Sequence, residues 1–164
     1  MTQAATPLDE IEAIKQLKYR YFRLVDTANW ADLARCFVES ATVCYVGGTY
    51  RVERSGRAAI LEYLASAIHA QCISVHQGGH PEIRLTSPST ATGTWYQNDW
   101  FLDLRSNMKL SGACLYDDRY VKEGSDWKIE HTGYERLYEI VEQLPAAPMV
   151  TAHYLGRHAR PPQN

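Results

Sequence analysis

The chain has 164 residues, of which 45% are apolar and 22% charged, and it carries a net charge of −2. This is enough for one domain with a real core and too apolar for a disordered chain, and the acidic balance with no Lys/Arg block excludes nucleic acid as an expected partner. No window approaches the ~20 apolar residues of a membrane span, and the opening MTQAATPLDE has neither a basic n-region nor an apolar h-region, so the expectation is a cytoplasmic protein that does not enter a membrane.

The first element is an amphipathic helix. Ile11, Ile14, Leu17, Tyr21, Leu24 and Val25 recur at steps of three and four, with Glu12, Lys15, Lys18 and Arg23 assigned to the polar stripe. Asp9 with Glu12 three positions on reads as a capping box after Pro7, so the helix should start near Leu8 or Asp9. Asp26 stands at the far end, where the helix dipole disfavours a carboxylate; it needs some other reason to be there. Tyr21 and Asp26 are five residues apart, about 140° around an ideal helix, so both reach one pocket only if Asp26 sits on an unwinding last turn.

Asn29 to Phe37 reads as a short second helix capped by Asn29. Thr42 to Tyr50, broken at Gly47-Gly48, reads as a hairpin whose second strand is Thr49 to Glu53. Ser55 then caps a helix from Arg57 to about His69, with Ile60, Leu61, Leu64 and Ile68 on its apolar stripe. From there the chain changes character. Ile73 to His76, Glu82 to Thr86, Thr90 to Leu102, Leu110 to Lys122 and Trp127 to Tyr138 read as strands, with Gly78-Gly79 and Ser87-Pro88 among the breaks. Helices first and a long antiparallel run afterwards is the α+β order in a single domain. The tail beyond Leu144, with Pro145, Pro148, Pro161 and Pro162, is expected to lack regular structure and is free to cross onto a neighbouring subunit.

Candidate chemistry follows from residue type and phase. Cys36, Cys44, Cys72 and Cys114 lack CxxC spacing and read as reduced, mostly buried thiols. Eleven Tyr and four Trp suit the lining of an apolar pocket with polar tips, although ordinary packing explains most of them. Strand parity puts Trp95, Gln97, Asp99 and Phe101 on one face; if that face is concave, Asp99 is desolvated between aromatics. The alternative is that the other face is buried and Asp99 points to water. His76, at the end of an apolar strand beside Gly78-Gly79, is the leading general base, since a neutral imidazole is readily tuned near pH 7 and an aspartate on its other nitrogen fixes the tautomer. Asp26 and Asp99 are the two candidates for that aspartate. Tyr21 offers a phenol for a developing oxyanion, and Arg136, alternating with Tyr134 and Tyr138, offers a clamp for a carboxylate. His76 and His80 are four apart, but Gly78, Gly79 and Pro81 remove the helix a metal pair would need, so no metal is expected. His131 reads as structural. There is no phosphate loop, GxGxxG or Ser/His/Asp spacing.

Four segments, IEAIKQLKYRYFRLVDTANWADL, SVHQGGHPEI, TATGTWYQNDW and TGYERLYE, resemble the SnoaL-like group of the nuclear-transport-factor-like superfamily, most closely its bile acid 7α-dehydratases. Hexachlorocyclohexane dehydrochlorinase and scytalone dehydratase are more distantly similar. The resemblance implies an α+β cone, a curved antiparallel sheet wrapped around the N-terminal helix with a deep apolar pocket. It carries Tyr21, Asp26, His76, Asp99 and Arg136 into that pocket as catalytic residues, and the aromatic residues alternating with them on their strands, Trp95 and Phe101 beside Asp99 and Tyr134 beside Arg136, are the expected substrate contacts. It further implies a cofactor-independent dehydratase acting on a steroid-like ketone, and a homotrimer. Two departures stand out: Gly79 and His80 replace a His and a Thr of the bile acid enzyme, and the loop from Arg105 to Lys109 is shorter. An isomerase or cyclase using the same groups, and a non-catalytic small subunit or binding module, are the competing readings.

Overall fold

The computed structural model of the chain describes residues 6–159; Pro161 and Pro162 lie outside the described residues. Helix α1 (Pro7–Asp26) starts from Thr6, whose hydroxyl accepts from the Asp9 backbone N–H while the Asp9 carboxylate accepts from the Thr6 backbone N–H at 2.8 Å. Asp9 is therefore inside the first turn rather than the cap, and the helix begins slightly earlier than the sequence pattern predicts. Its buried face is Ile14, Leu17, Lys18, Tyr21, Phe22, Leu24 and Val25. Lys18 is the correction: it is 0% exposed, not on the polar stripe. Four residues after Ile14 and three before Tyr21, it falls on the apolar stripe by spacing alone. Its ammonium lies 2.8 Å from Asp118 and 3.0 Å from the Thr132 hydroxyl, with the Tyr116 ring centroid at 3.8 Å.

Helix α2 (Trp30–Ala34) is capped by the Asn29 side chain as expected, but it stops short of Phe37. Phe37 instead opens strand β1 (Phe37–Val46), which hydrogen-bonds in parallel to the last strand with Phe37 opposite Ile129. Strand β2 (Arg51–Ser55) returns antiparallel after a turn in which Gly47 donates its N–H to the Tyr50 carbonyl at 2.9 Å. Ser55 belongs to that strand, so Gly56, at φ 87°, is the N-cap of helix α3 (Arg57–Ala67) and no side chain caps it. The helix ends two residues before His69, as Ile68 turns extended.

Strand β3 (Cys72–Ser87) runs straight through the expected Gly78-Gly79 break. The interruption is a bulge between Gly79 and Glu82, with His80 in the left-handed region at φ 49°. Gly78 has a different use: a Cβ there would lie 2.2 Å from the Phe22 ring, so the glycine admits helix α1 against the strand. Strands β4 (Thr90–Asp103), β5 (Met108–Glu123) and β6 (Asp126–Gln143) complete the sheet, β6 extending five residues past the expected end at Tyr138.

The six strands are ordered β2-β1-β6-β5-β4-β3, antiparallel throughout except for β1 with β6. Helix α1 packs inside this open, curved sheet against β3 and β6, while α3 closes over β1. The tail is irregular after Leu144 except for one helical turn, α4 (Tyr154–His158), which the sequence did not predict. Leu155 is buried, and His153 approaches the Cys72 carbonyl at 3.0 Å, so this part of the tail docks on its own chain. Cys36, Cys72 and Cys114 are buried free thiols, and Cys44 is half-buried. Among the described residues no helix is long and apolar enough to cross a membrane.

A buried ion pair stripped of one partner leaves an uncompensated charge, whereas replacing both partners with apolar groups is often neutral. Lys18→Met is expected to lose about 3–5 kcal/mol in urea unfolding, and Lys18→Met with Asp118→Leu to regain most of it. A single variant as stable as wild type would show that the pair does not hold α1 to the sheet.

Candidate active site

Asp26 ends α1 beneath β3 and collects three donors from it. Its Oδ2 accepts the His76 backbone N–H at 2.8 Å; its Oδ1 accepts the Ser74 hydroxyl at 2.9 Å and faces His76 Nδ1 at 2.5 Å. Those donors are the reason a carboxylate stands at the unfavourable end of the helix. Asp26 is thus the partner of His76, and with Nδ1 committed to it, Nε2 is the nitrogen left for the cavity that His76 lines. The ring lies nearly parallel to Phe22, 6.2 Å between centroids and 10° between planes, a position the missing Gly78 side chain permits.

Asp99 pairs directly across from His76 in the β3–β4 register. The concave-face parity is the one observed: Trp95 and Gln97 are buried, and the Asp99 side chain is 9% exposed. Asp99 makes a fork-to-fork pair with Arg136, Nη1 to Oδ1 at 2.6 Å and Nη2 to Oδ2 at 2.8 Å. It answers to Arg136 and not to the imidazole.

Arg136 reaches Asp99 because two backbone features allow it. In the β5–β6 ladder Ala113 faces Tyr138 and Cys114 faces Arg136, so Leu137 is an extra residue in β6. Beyond that bulge the alternation reverses. Tyr138 is exposed on the outer side, and Glu139, not Tyr138, joins Tyr134 and Arg136 on the inner face. Arg136 Nε lies 3.1 Å from the Glu139 carboxylate and 3.3 Å from the Tyr50 hydroxyl. The second feature is Gly112, which faces Asp99 on one side and Glu139 on the other. A Cβ there would sit 2.8 Å from Arg136 Nη1 and 2.8 Å from the Tyr138 carbonyl, so the guanidinium occupies the space a side chain would take. Burial works against the Arg136 charge, but the hydrogen bonds and charge of Asp99, with the Tyr50 hydroxyl, hold its pKa above the ordinary value.

These groups line a cavity of about 160 Å³. Tyr21, His76, Asp99, Phe101, Tyr134 and Arg136 all face it; Asp26 lies behind His76, and Trp95 does not line it. Trp95 is fully buried and donates its indole N–H to the Tyr120 hydroxyl at 3.0 Å. His80 lies off the cavity with its ring edge-on to Tyr96. Burial pushes the Tyr21 phenol up and keeps it a neutral donor, 3.2 Å from the Tyr45 hydroxyl. Burial also pushes the Cys114 thiol up to about 12, so it is not a thiolate nucleophile. Among the described residues no group of three His, Cys, Asp or Glu side chains is arranged to hold a metal ion.

Sequence reasoning missed several members. Tyr116 lines the cavity, and the run Cys114, Tyr116, Asp118, Tyr120, buried at every second residue, carried that signal. Tyr45 and Tyr63 had no comparable mark. Glu139 was hidden by the bulge.

Fold and cavity together define a class: a small α+β cone whose curved sheet and central helix enclose a pocket of small-molecule size. The model of the SnoaL-like domain matches residues 6–133, and the chain belongs to that family. Among solved structures it is similar to a scytalone dehydratase-like protein of Novosphingobium aromaticivorans, with TM-score 0.74 and 20% identity over 88% of this chain and 95% of that one. It is similar to hexachlorocyclohexane dehydrochlorinase LinA-type3 from Novosphingobium barchaimii, with TM-score 0.74 and 17% identity over 88% and 97% of the two chains. ActVI-ORFA of Streptomyces coelicolor gives a TM-score of 0.63 and 16% identity, over 77% and 96%. At these identities the likeness is one of fold.

Gly112→Ala should drive the guanidinium off Asp99, because the Tyr138 carbonyl is backbone and cannot yield. The expected cost of such overpacking is about 1–3 kcal/mol. Urea unfolding and a crystal structure of the variant test this; undiminished stability with the Arg136–Asp99 fork intact would refute it.

Proposed function

We propose that the protein is a dehydratase that eliminates water from a hydroxylated, steroid-like ketone or enone, in the manner of the bile acid 7α-dehydratases its motifs resemble. The observation that carries this reading is the Asp26–His76 pair on the wall of an apolar cavity also lined by the neutral phenol of Tyr21. Elimination next to a carbonyl needs a base for the carbon-bound proton, a donor for the enolate oxygen and an acid for the departing hydroxyl. His76 Nε2 takes the proton, and the C–H electron pair flows toward the carbonyl oxygen, where Tyr21 donates a hydrogen bond. The imidazolium, stabilised by Asp26, then returns the proton to the hydroxyl as the C–O bond breaks. The carbonyl reforms in conjugation with the new double bond, and water leaves. Every step uses side chains, with no call on a metal or redox group. Asp99 and Arg136 shape the wall next to His76, and Phe101 and Tyr134 contact the ligand.

One observation favours isomerisation as the second reading: His76 is the only histidine on the cavity among the described residues, and one base is enough to shuttle a proton between two carbons with no leaving group to protonate. The proposal includes a cytoplasmic homo-oligomer, a trimer by family resemblance. Val75, Trp100 and Ile140 are exposed apolar residues along one register row of the sheet, with Ser111 between the last two, which supports association.

The test is an ultraviolet assay of the purified protein on a 7-hydroxy-3-oxo-4-ene steroid, following the red-shifted band of the conjugated dienone. His76→Ala should slow its appearance by roughly 10²- to 10⁴-fold, and Tyr21→Phe by about 10²- to 10³-fold. Undiminished turnover in His76→Ala would remove the mechanism. Conversion without loss of water would move the protein to the isomerase reading.

A further inference from the structure

Among the described residues Arg136 is the one arginine on the cavity wall, and from its residue type it reads as a clamp for an anionic substrate group. Its surroundings say otherwise. Both terminal nitrogens are spent on Asp99 at 2.6 and 2.8 Å, and Nε faces Glu139 at 3.1 Å. The side chains are 8%, 9% and 11% exposed for Arg136, Asp99 and Glu139, so little solvent screens the cluster. Two carboxylates share one guanidinium, which leaves an excess negative charge beside the cavity. Among the described residues no other lysine or arginine lines the cavity. The ammonium of Lys18 is taken by Asp118 at 2.8 Å, and Asp26, behind His76, is again a carboxylate.

We infer that Glu139 acts through Arg136 as a specificity-determining residue, making the cavity accept uncharged ligands and reject carboxylates. Glu139 does not line the cavity; it faces the guanidinium from the side away from Asp99 and cancels the attraction that Arg136 would otherwise exert on an anion. A carboxylate entering the pocket would meet Asp99 in place of a free guanidinium fork, and bringing like charges together in a desolvated site is costly. The part of the substrate that enters the cavity is therefore neutral, and any acidic substituent lies outside the cavity.

This rests on the reading of the cavity as the substrate site, and the test uses compact probes that cannot leave their polar group outside. Methyl 2-naphthyl ketone and 2-naphthoate have nearly the same shape and differ in charge. Titration calorimetry of the intact protein at neutral pH should find the ketone bound at least about tenfold more tightly than the carboxylate. Glu139→Gln, which keeps the shape and removes the charge, should narrow that ratio by severalfold, a change that loss of packing alone would not produce because it would weaken both probes alike. Equal or tighter binding of naphthoate by the wild-type protein overturns the inference, as does a ratio unchanged in Glu139→Gln. Binding is read without turnover. A protein that shows the ratio but never forms a dienone loses the dehydratase reading and keeps this one; a protein that forms the dienone and binds naphthoate as well as the ketone loses only this one.

Discussion

The contact between Asp26 and β3 ties the end of the central helix to the sheet that surrounds it, and the geometry of the cavity follows from that tie. A carboxylate at a helix C-terminus faces the negative end of the dipole, and Asp26 is accommodated because three donors from Ser74 and His76 converge on it. Two of them belong to one residue, so the bond that satisfies the helix end also fixes the imidazole. Backbone and ring nitrogens of His76 are held by the two oxygens of one carboxyl group, which leaves the ring little freedom to turn. Structural and chemical demands meet in one side chain.

Around that tie the sheet is arranged as a row. His76, Asp99, Gly112 and Glu139 occupy successive strands β3, β4, β5 and β6 in direct register. A side chain at the third position would fill the space between the two carboxylates; glycine leaves it open, and Arg136 enters from one turn of the pleat away. The extra residue at Leu137 makes that entry compatible with Glu139 facing inward. A second polar tie, Lys18 with Asp118 and Thr132, lies below the aromatic wall and places a cation against the rings of Tyr116, Tyr21 and Phe22, at 3.8, 4.7 and 5.0 Å. Pocket residues are thus backed by buried charge on two sides.

Much of this architecture is legible in the amino-acid order. Periodicity places α1, parity places Trp95, Gln97 and Asp99 together on one face, and motif resemblance names Tyr21, Asp26, His76, Asp99 and Arg136, which meet at or behind the cavity wall. Partner assignment is not legible, because it depends on long-range register: nothing local to Asp26 or Asp99 tells which of them meets His76. Lys18 escapes for a different reason, since residue type suggests solvent while spacing puts it inside, and its partner Asp118 is a hundred residues away. Gly78 and Gly79 read as a turn because glycine signals both a turn and a close approach, and only the position of Phe22 separates the two. The β6 bulge exchanges Tyr138 for Glu139 on the inner face without any sequence mark.

The two aspartates show how surroundings, rather than residue type, divide the labour. Asp99 has both oxygens bound by a guanidinium that also faces Glu139, so its hydrogen bonds are given to Arg136 and none reaches the imidazole. Asp26 has donors that include a ring whose second nitrogen remains available, so its charge acts at the far side of the imidazole, where a proton can be taken up and released. Tyr21, kept neutral by burial, gives hydrogen bonds but is no base. On the cavity wall, His76 keeps one ring nitrogen toward the cavity while the other is held by the Asp26 carboxylate. That combination, more than the presence of any single residue, is why general acid–base chemistry at this wall centres on His76.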